Sequence, residues 1–168
     1  ALLPKESADT QISIIFALGE IRSQTAVEMI IPFLRTPHRE LAQQAASSLG
    51  KIHTPRAVQE LIAVLEEKND EMTWTIIEAL GETRSADVIP HLTKFIKDPD
   101  IEVRWGTAKS LGQIPSPASL PPLKEMLKDR HPDVRSMAAI SLGHLGYHEA
   151  IEPLVQALND RDSKVSDS

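Results

Sequence analysis

The chain has 168 residues, and its 18 basic and 24 acidic side chains give a net charge of −6. That balance argues against a general nucleic-acid binder, whose affinity rests on neutralising phosphates with Lys and Arg. The absence of cysteine excludes disulfides, thiolate catalysis and cysteine-type zinc sites together. No apolar run approaches the roughly 20 residues that span a bilayer, and no basic segment leads into an apolar one as in a secretory signal. A cytoplasmic location is therefore expected. The chain opens on Ala1 rather than methionine, which fits either processing or a piece of something longer.

Residues 1–5 carry Leu2, Leu3 and Pro4, a lead-in whose leucines are expected to tuck against the first helix. That helix should run from about residue 7 to 18, with Ser7 or Asp9 as its N-cap. It closes on Leu18-Gly19. The same pair returns as Leu49-Gly50, Leu80-Gly81, Leu111-Gly112 and Leu142-Gly143, each 31 residues after the last. An internal period of this length marks a solenoid, in which each repeat contacts mainly its neighbours. We therefore expect an all-α, right-handed α-solenoid of antiparallel helix pairs forming one domain over residues 1–168. Its parts are a partial unit at 1–17, repeats at 18–48, 49–79, 80–110 and 111–141, and a truncated repeat at 142–168. The first helix is then the second member of a pair whose first member is missing.

Within each repeat, apolar residues fall nine, twelve and sixteen places after the leucine: Val27/Ile30/Leu34, Val58/Leu61/Leu65, Ile89/Leu92/Ile96, Leu120/Leu123/Leu127 and Ile151/Leu154/Leu158. Spacings of three and four put each triplet on one face of a first helix, A. Proline is tolerated in a first helical turn, where the N–H has no intrahelical partner. Pro90, Pro121, Pro122 and Pro153 therefore place helix starts near Ala86, Pro117 and His148. Pro32 comes later in its helix and predicts a bend.

Turns are expected at Thr36-Pro37, Lys68-Asn69, Asp98-Pro99 and His131-Pro132. A second helix, B, then runs to the Leu-Gly pair. Small or aliphatic residues precede the leucine, as in Ala45/Ala46/Ser48 and Ala138/Ala139/Ser141, and would let neighbouring helices approach closely. The glycine either takes a left-handed C-cap or frees space for a tight turn. Asp98 precedes Arg104 by six residues, and Asp129 precedes Arg135 by six. This recurrence in register predicts an intra-repeat or inter-repeat salt bridge fixing the A–B turn.

These features resemble the short HEAT-like repeats named after the phycobilisome (bilin) lyases. The closest matches to their Val-Arg-x-x-Ala-Ala-x-x-Leu-Gly segment are Val134-Arg135 with Ala138-Ala139 and Leu142-Gly143. Val103-Arg104 with Ala108 and Leu111-Gly112 follows. The resemblance covers essentially the whole chain. It departs at Leu41-Ala42 and Met72-Thr73, which stand where Val-Arg is expected, so the Asp/Arg brace should be missing there.

The resemblance implies that B helices line a concave surface. Positions six, five and two before the leucine, and two after, should project from it. They read Ile12/Ser13/Phe16/Glu20, Gln43/Gln44/Ser47/Lys51, Trp74/Thr75/Glu78/Glu82, Trp105/Gly106/Lys109/Gln113 and Ser136/Met137/Ile140/His144. Unlike the core positions, these differ from repeat to repeat. Both tryptophans occupy the same register position, one repeat apart, and are expected side by side. Ile12, Phe16, Met137 and Ile140 extend an apolar track, with Gln43, Gln44, Glu78 and Lys109 as polar neighbours. Exposed aromatics on such a face suggest a contact patch.

No G-x-S-x-G, P-loop or G-x-G-x-x-G segment occurs. His144, His148 and Glu149 have metal-like spacing, but Gly146 interrupts the helix between them. His38 and His131 share one repeat position and read as turn residues. Deoxyhypusine hydroxylase, which uses the same repeat, binds iron through His-Glu pairs five to six places before the leucine. None of those places holds His-Glu here, which excludes that activity. The expectation is a non-enzymatic scaffold without cofactor, binding a helix, loop or peptide of another protein, with no nucleic acid or membrane partner. End-to-end self-association or membership of a larger chain would cap its open ends. The alternative is a bilin lyase or bilin-handling subunit that stacks a phycobilin on Trp74 and Trp105.

Overall fold

A computed structural model describes residues 7–67 and 70–158; the lead-in leucines, the Lys68-Asn69 turn and the end of the truncated repeat lie outside them. The chain forms two compact units, Ala1–Thr83 and Arg84–Ser168. The described residues are helical with connecting turns and bends, and they form the helix pairs of an α-solenoid.

In the first unit, the B helices are α1 (Ala8–Glu20), α3 (Arg39–Ile52) and α5 (Asp70–Glu82). Ser7 caps α1, its hydroxyl accepting the Thr10 N–H at 3.3 Å. The A helices between them are α2 (Val27–Ile30) and α4 (Pro55–Glu66). In the second unit, B helices α7 (Ile101–Gln113) and α9 (Pro132–Leu145) alternate with A helices α6 (Ile89–Leu92), α8 (Leu120–Met126) and α10 (Ile151–Ala157). Successive B helices pack on one another, α1 on α3 on α5 and α7 on α9.

Proline explains why most A helices are short. A proline has no N–H for the carbonyl four residues back, and its ring clashes with that carbonyl. The residues ahead of Pro90, Pro121-Pro122 and Pro153 therefore tighten into 3-10 turns at Ala86–Val88, Pro117–Ser119 and His148–Ala150. These turns begin at the three starts that the prolines predict. The bend expected at Pro32 is a change of helix type: α2 stops at Ile30, and Ile31–Arg35 continues as 3-10. Among the described residues only α4 is a long unbroken A helix, because its proline is its first residue and Thr54 caps it, accepting the Ala57 N–H at 3.2 Å.

The first four apolar triplets are buried throughout, and Leu49, Leu80, Leu111 and Leu142 are fully enclosed. Each such side chain contributes roughly 1.5–3 kcal/mol by leaving water. The fifth triplet is open: Ile151 and Leu158 are more than half exposed. His38 and His131 cap α3 and α9, each accepting a backbone N–H at Nδ1, from Leu41 (3.4 Å) and Asp133 (3.3 Å).

The Leu-Gly glycines do not take the left-handed C-cap. All five lie inside their helices, and the only glycine with positive φ is Gly146. Nor do they serve a tight turn; Gly19, Gly50 and Gly112 serve the stack. A Cβ on Gly19 would lie 2.6 Å from Ser48 Oγ, on Gly50 2.5 Å from the Ala79 carbonyl oxygen, and on Gly112 2.4 Å from Ser141 Cβ. The seam is completed by hydroxyls: Ser48 donates to the Ile15 carbonyl and Ser141 to the Ala108 carbonyl, both at 2.9 Å. The left-handed turn comes three residues after the glycine, at Arg22, His53, Arg84 and Gly146. The corresponding residue after α7 is Pro115, whose ring forbids positive φ, and there the helix ends on an extended Ile114 instead.

The Arg104 brace is between repeats. Buried Arg104 forks onto Asp129 of the next repeat, Nε to Oδ2 at 2.8 Å and Nη2 to Oδ1 at 3.2 Å. From its own turn it takes carbonyls: those of Asp98 at 2.8 Å and Pro99 at 3.1 Å. Arg135 repeats the second half, donating to the Asp129 carbonyl at 2.8 Å. The spacing of six thus joins an arginine to a backbone oxygen rather than to a carboxylate.

Candidate functional site

The B-helix positions six and two before the leucine, and two after it, are solvent-accessible in every repeat. They are the side of the helix turned away from both the A helix and the seam. In the first unit this face carries Ile12 and Phe16 on α1, Gln43, Ser47 and Lys51 on α3, and Trp74, Glu78 and Glu82 on α5. Phe16 is 49% exposed and Trp74 38%. The Lys51 ammonium lies 5.4 Å from the Phe16 ring centroid and pairs with Glu20. A cation over an aromatic face is attracted by the ring quadrupole, so Lys51 ties α3 to α1 across the accessible edge.

In the second unit the face carries Trp105 and Lys109 on α7, and Ser136, Ile140 and His144 on α9. Trp105 is half-buried, with the Lys109 Nζ 5.6 Å from its centroid, one helical turn on. Trp74 and Trp105 belong to different units, and each is placed by its own helix.

Position five before the leucine is mixed, with Ser13 exposed and Gln44 half-buried. Thr75 and Gly106 are buried, and Gln44 turns back, its amide donating to Ser48 Oγ at 3.0 Å. Met137 shares the register and is half-buried.

Among the described residues, no cluster of three or more His, Asp or Glu side chains is placed to hold a metal. No described helix is long and apolar enough to cross a membrane. What the face offers chemically is aromatic and aliphatic contact with amide, ammonium and carboxylate groups at its edges.

Stacked helix pairs with a variable, partly apolar B-helix face define a helical-repeat scaffold. The chain matches the HEAT repeats family over residues 1–81, 59–131 and 89–167, and it belongs to that family. No curated protein matches it. Among solved structures, it is similar to the complex of CpcE and CpcF of phycocyanin lyase from Nostoc sp. PCC7120, with TM-score 0.70 and 19% identity, covering 85% of this chain and 95% of that one. An engineered protein matches with TM-score 0.64 and 21% identity over 99% and 90% of the two chains. Human deoxyhypusine hydroxylase matches with TM-score 0.54 and 16% identity over 98% and 88%. At these identities the likeness is one of fold.

Proposed function

We propose that this HEAT-repeat chain is a protein-interaction scaffold that holds a helix, loop or peptide of another protein along its B-helix face. The observation that carries the reading is the exposure of Trp74 and Phe16 on a face whose residues change from repeat to repeat, while the core and seam positions stay alike. Covering about 100 Å² of an indole contributes roughly 2–3 kcal/mol, enough for two rings to dominate an interface. Glu78, Glu82 and Lys109 form a polar rim, each worth little alone.

The test begins with a partner captured by the native chain and its affinity measured by calorimetry. Replacing Trp74 and Trp105 together by alanine should weaken that binding at least about tenfold, the equivalent of ~1.4 kcal/mol, while the thermal midpoint stays nearly unchanged. Affinity that survives, or a loss matched by an equal loss of stability, rejects the reading.

A second reading, a bilin-handling subunit, is supported by the match to CpcE and CpcF of phycocyanin lyase. There Trp74 or Trp105 would stack on a tetrapyrrole. Titration with a phycobilin separates the two: a shifted absorption band that disappears with the tryptophans favours the pigment, and an unchanged spectrum removes it.

A further inference from the structure

A second surface register also changes from repeat to repeat. One place after the apolar triplet of helix A, the chain reads Arg35, Glu66, Lys97 and Lys128. The fold does not dictate this position, whereas Leu34, Leu65, Ile96 and Leu127 just before it are all apolar and buried. In the C-terminal unit the two lysines border a groove of about 440 Å³, where residues 96–98 meet the end of α8 and the turn after it.

The charges around this groove do not cancel. Arg104 and Asp129 answer each other, and Lys97 Nζ pairs with Glu125 Oε1 at 2.7 Å. Asp98 turns its carboxylate to its own loop, accepting the Asp100 N–H at 2.9 Å. Lys128 has no ion pair among the described residues, because the uncharged Gln156 stands 28 places on, where Lys97 finds Glu125. Arg130 donates one N–H to the Pro99 carbonyl at 3.0 Å and, among the described residues, meets no carboxylate. Both of these cations are exposed.

Beneath them a donor is left over. A guanidinium carries five N–H groups. Arg104, 3% exposed, gives two to Asp129 and two to the Asp98 and Pro99 carbonyls, so one N–H of Nη2 has no acceptor among the described residues. A buried donor without an acceptor is costly, and an oxygen brought into the groove would relieve it.

We infer that this groove takes a glutamate side chain from an acidic peptide segment of another protein, at a docking point separate from the B-helix face. Its carboxylate sits between the Lys128 ammonium and the Arg130 guanidinium, whose planar fork suits two carboxylate oxygens. Ile96 and Met126 supply apolar walls for the glutamate methylenes. The occupant follows from charge: two cations lack a carboxylate, and opposite charge across an interface selects the partner.

The probe is an acetylated, fluorophore-labelled hexaglutamate peptide, titrated with the 168-residue chain at physiological ionic strength and read by anisotropy. It should bind saturably. Lys128→Glu and Arg130→Glu should each weaken binding about tenfold by setting like charge against the ligand. Lys128→Gln and Arg130→Gln, which remove the charge without reversing it, should fall in between, all four with unchanged helical circular dichroism. Arg39→Glu makes the same change of net charge at an exposed arginine of the other unit, and should alter binding less than about twofold, since screening confines the effect to nearby charges. A native chain that does not bind the peptide overturns the inference, as does a loss with Arg39→Glu equal to that with Arg130→Glu. So does inorganic phosphate that displaces the peptide better than acetate at equal ionic strength, which would assign the groove to a phosphate instead.

Discussion

The two units hold their repeats in register by different means. In the C-terminal unit, Arg104 is 3% exposed; it is forked onto Asp129 and also grips the Asp98 and Pro99 carbonyls. In the N-terminal unit, Ala42 and Thr73 occupy the arginine register, and among the described residues surface ion pairs join the repeats: Arg35 with Glu60 and Glu67, and Arg56 with Glu28. A buried arginine that loses its carboxylate strands a charge out of water, whereas an exposed pair is replaced by solvent at little cost. The same architecture therefore has one unit braced by an all-or-none contact and another by several dispensable ones.

The largest expected effect tests that contrast directly. Asp129→Ala leaves Arg104 buried without its carboxylate and removes the acceptor for the His131 N–H. It should destabilise the C-terminal unit by about 3–5 kcal/mol, read by denaturant unfolding. Next come the seams, which the two units share. Gly50→Val and Gly112→Val should each cost about 1–3 kcal/mol through overpacking, so a large difference between them would mean that the seams are not equivalent. Gly143→Ala, in the same register but open, should instead stabilise by about 0.5–1 kcal/mol as a helix-interior glycine is replaced. The smallest effect is Arg35→Ala, expected to cost at most about 1 kcal/mol and less at high salt. A cost like that of Asp129→Ala would erase the distinction between the units.

Much of this was legible in the chain itself. The Leu-Gly period, the apolar triplets and the prolines sufficed for the helix pairs, and the three expected starts coincide with 3-10 turns at Ala86, Pro117 and His148. The accessible register of Phe16, Trp74 and Ile140 followed from its variability. Other features have no local signal. The partner of Arg104 is set by the offset between stacked repeats, and a separation of 25 residues has no signature within one helix. Left-handed residues at Arg22, His53 and Arg84 are hidden because none is glycine; Gly146, at the same place after its leucine, was the single clue. Helical spacing alone also gives no sign that the Gln44 amide donates to Ser48 Oγ.

The seam has one further consequence. Its bonds run from serine hydroxyls to main-chain carbonyls, and its close approach depends on glycine having no side chain. None of these groups belongs to the accessible face. The accessible face can therefore change while the joints stand still: substitutions at Gln43, Trp74 or Ile140 alter that face without disturbing how neighbouring helices meet. Single substitutions on that face are each tried on a framework that remains folded, so under the proposed function a binding specificity and the fold that carries it change independently.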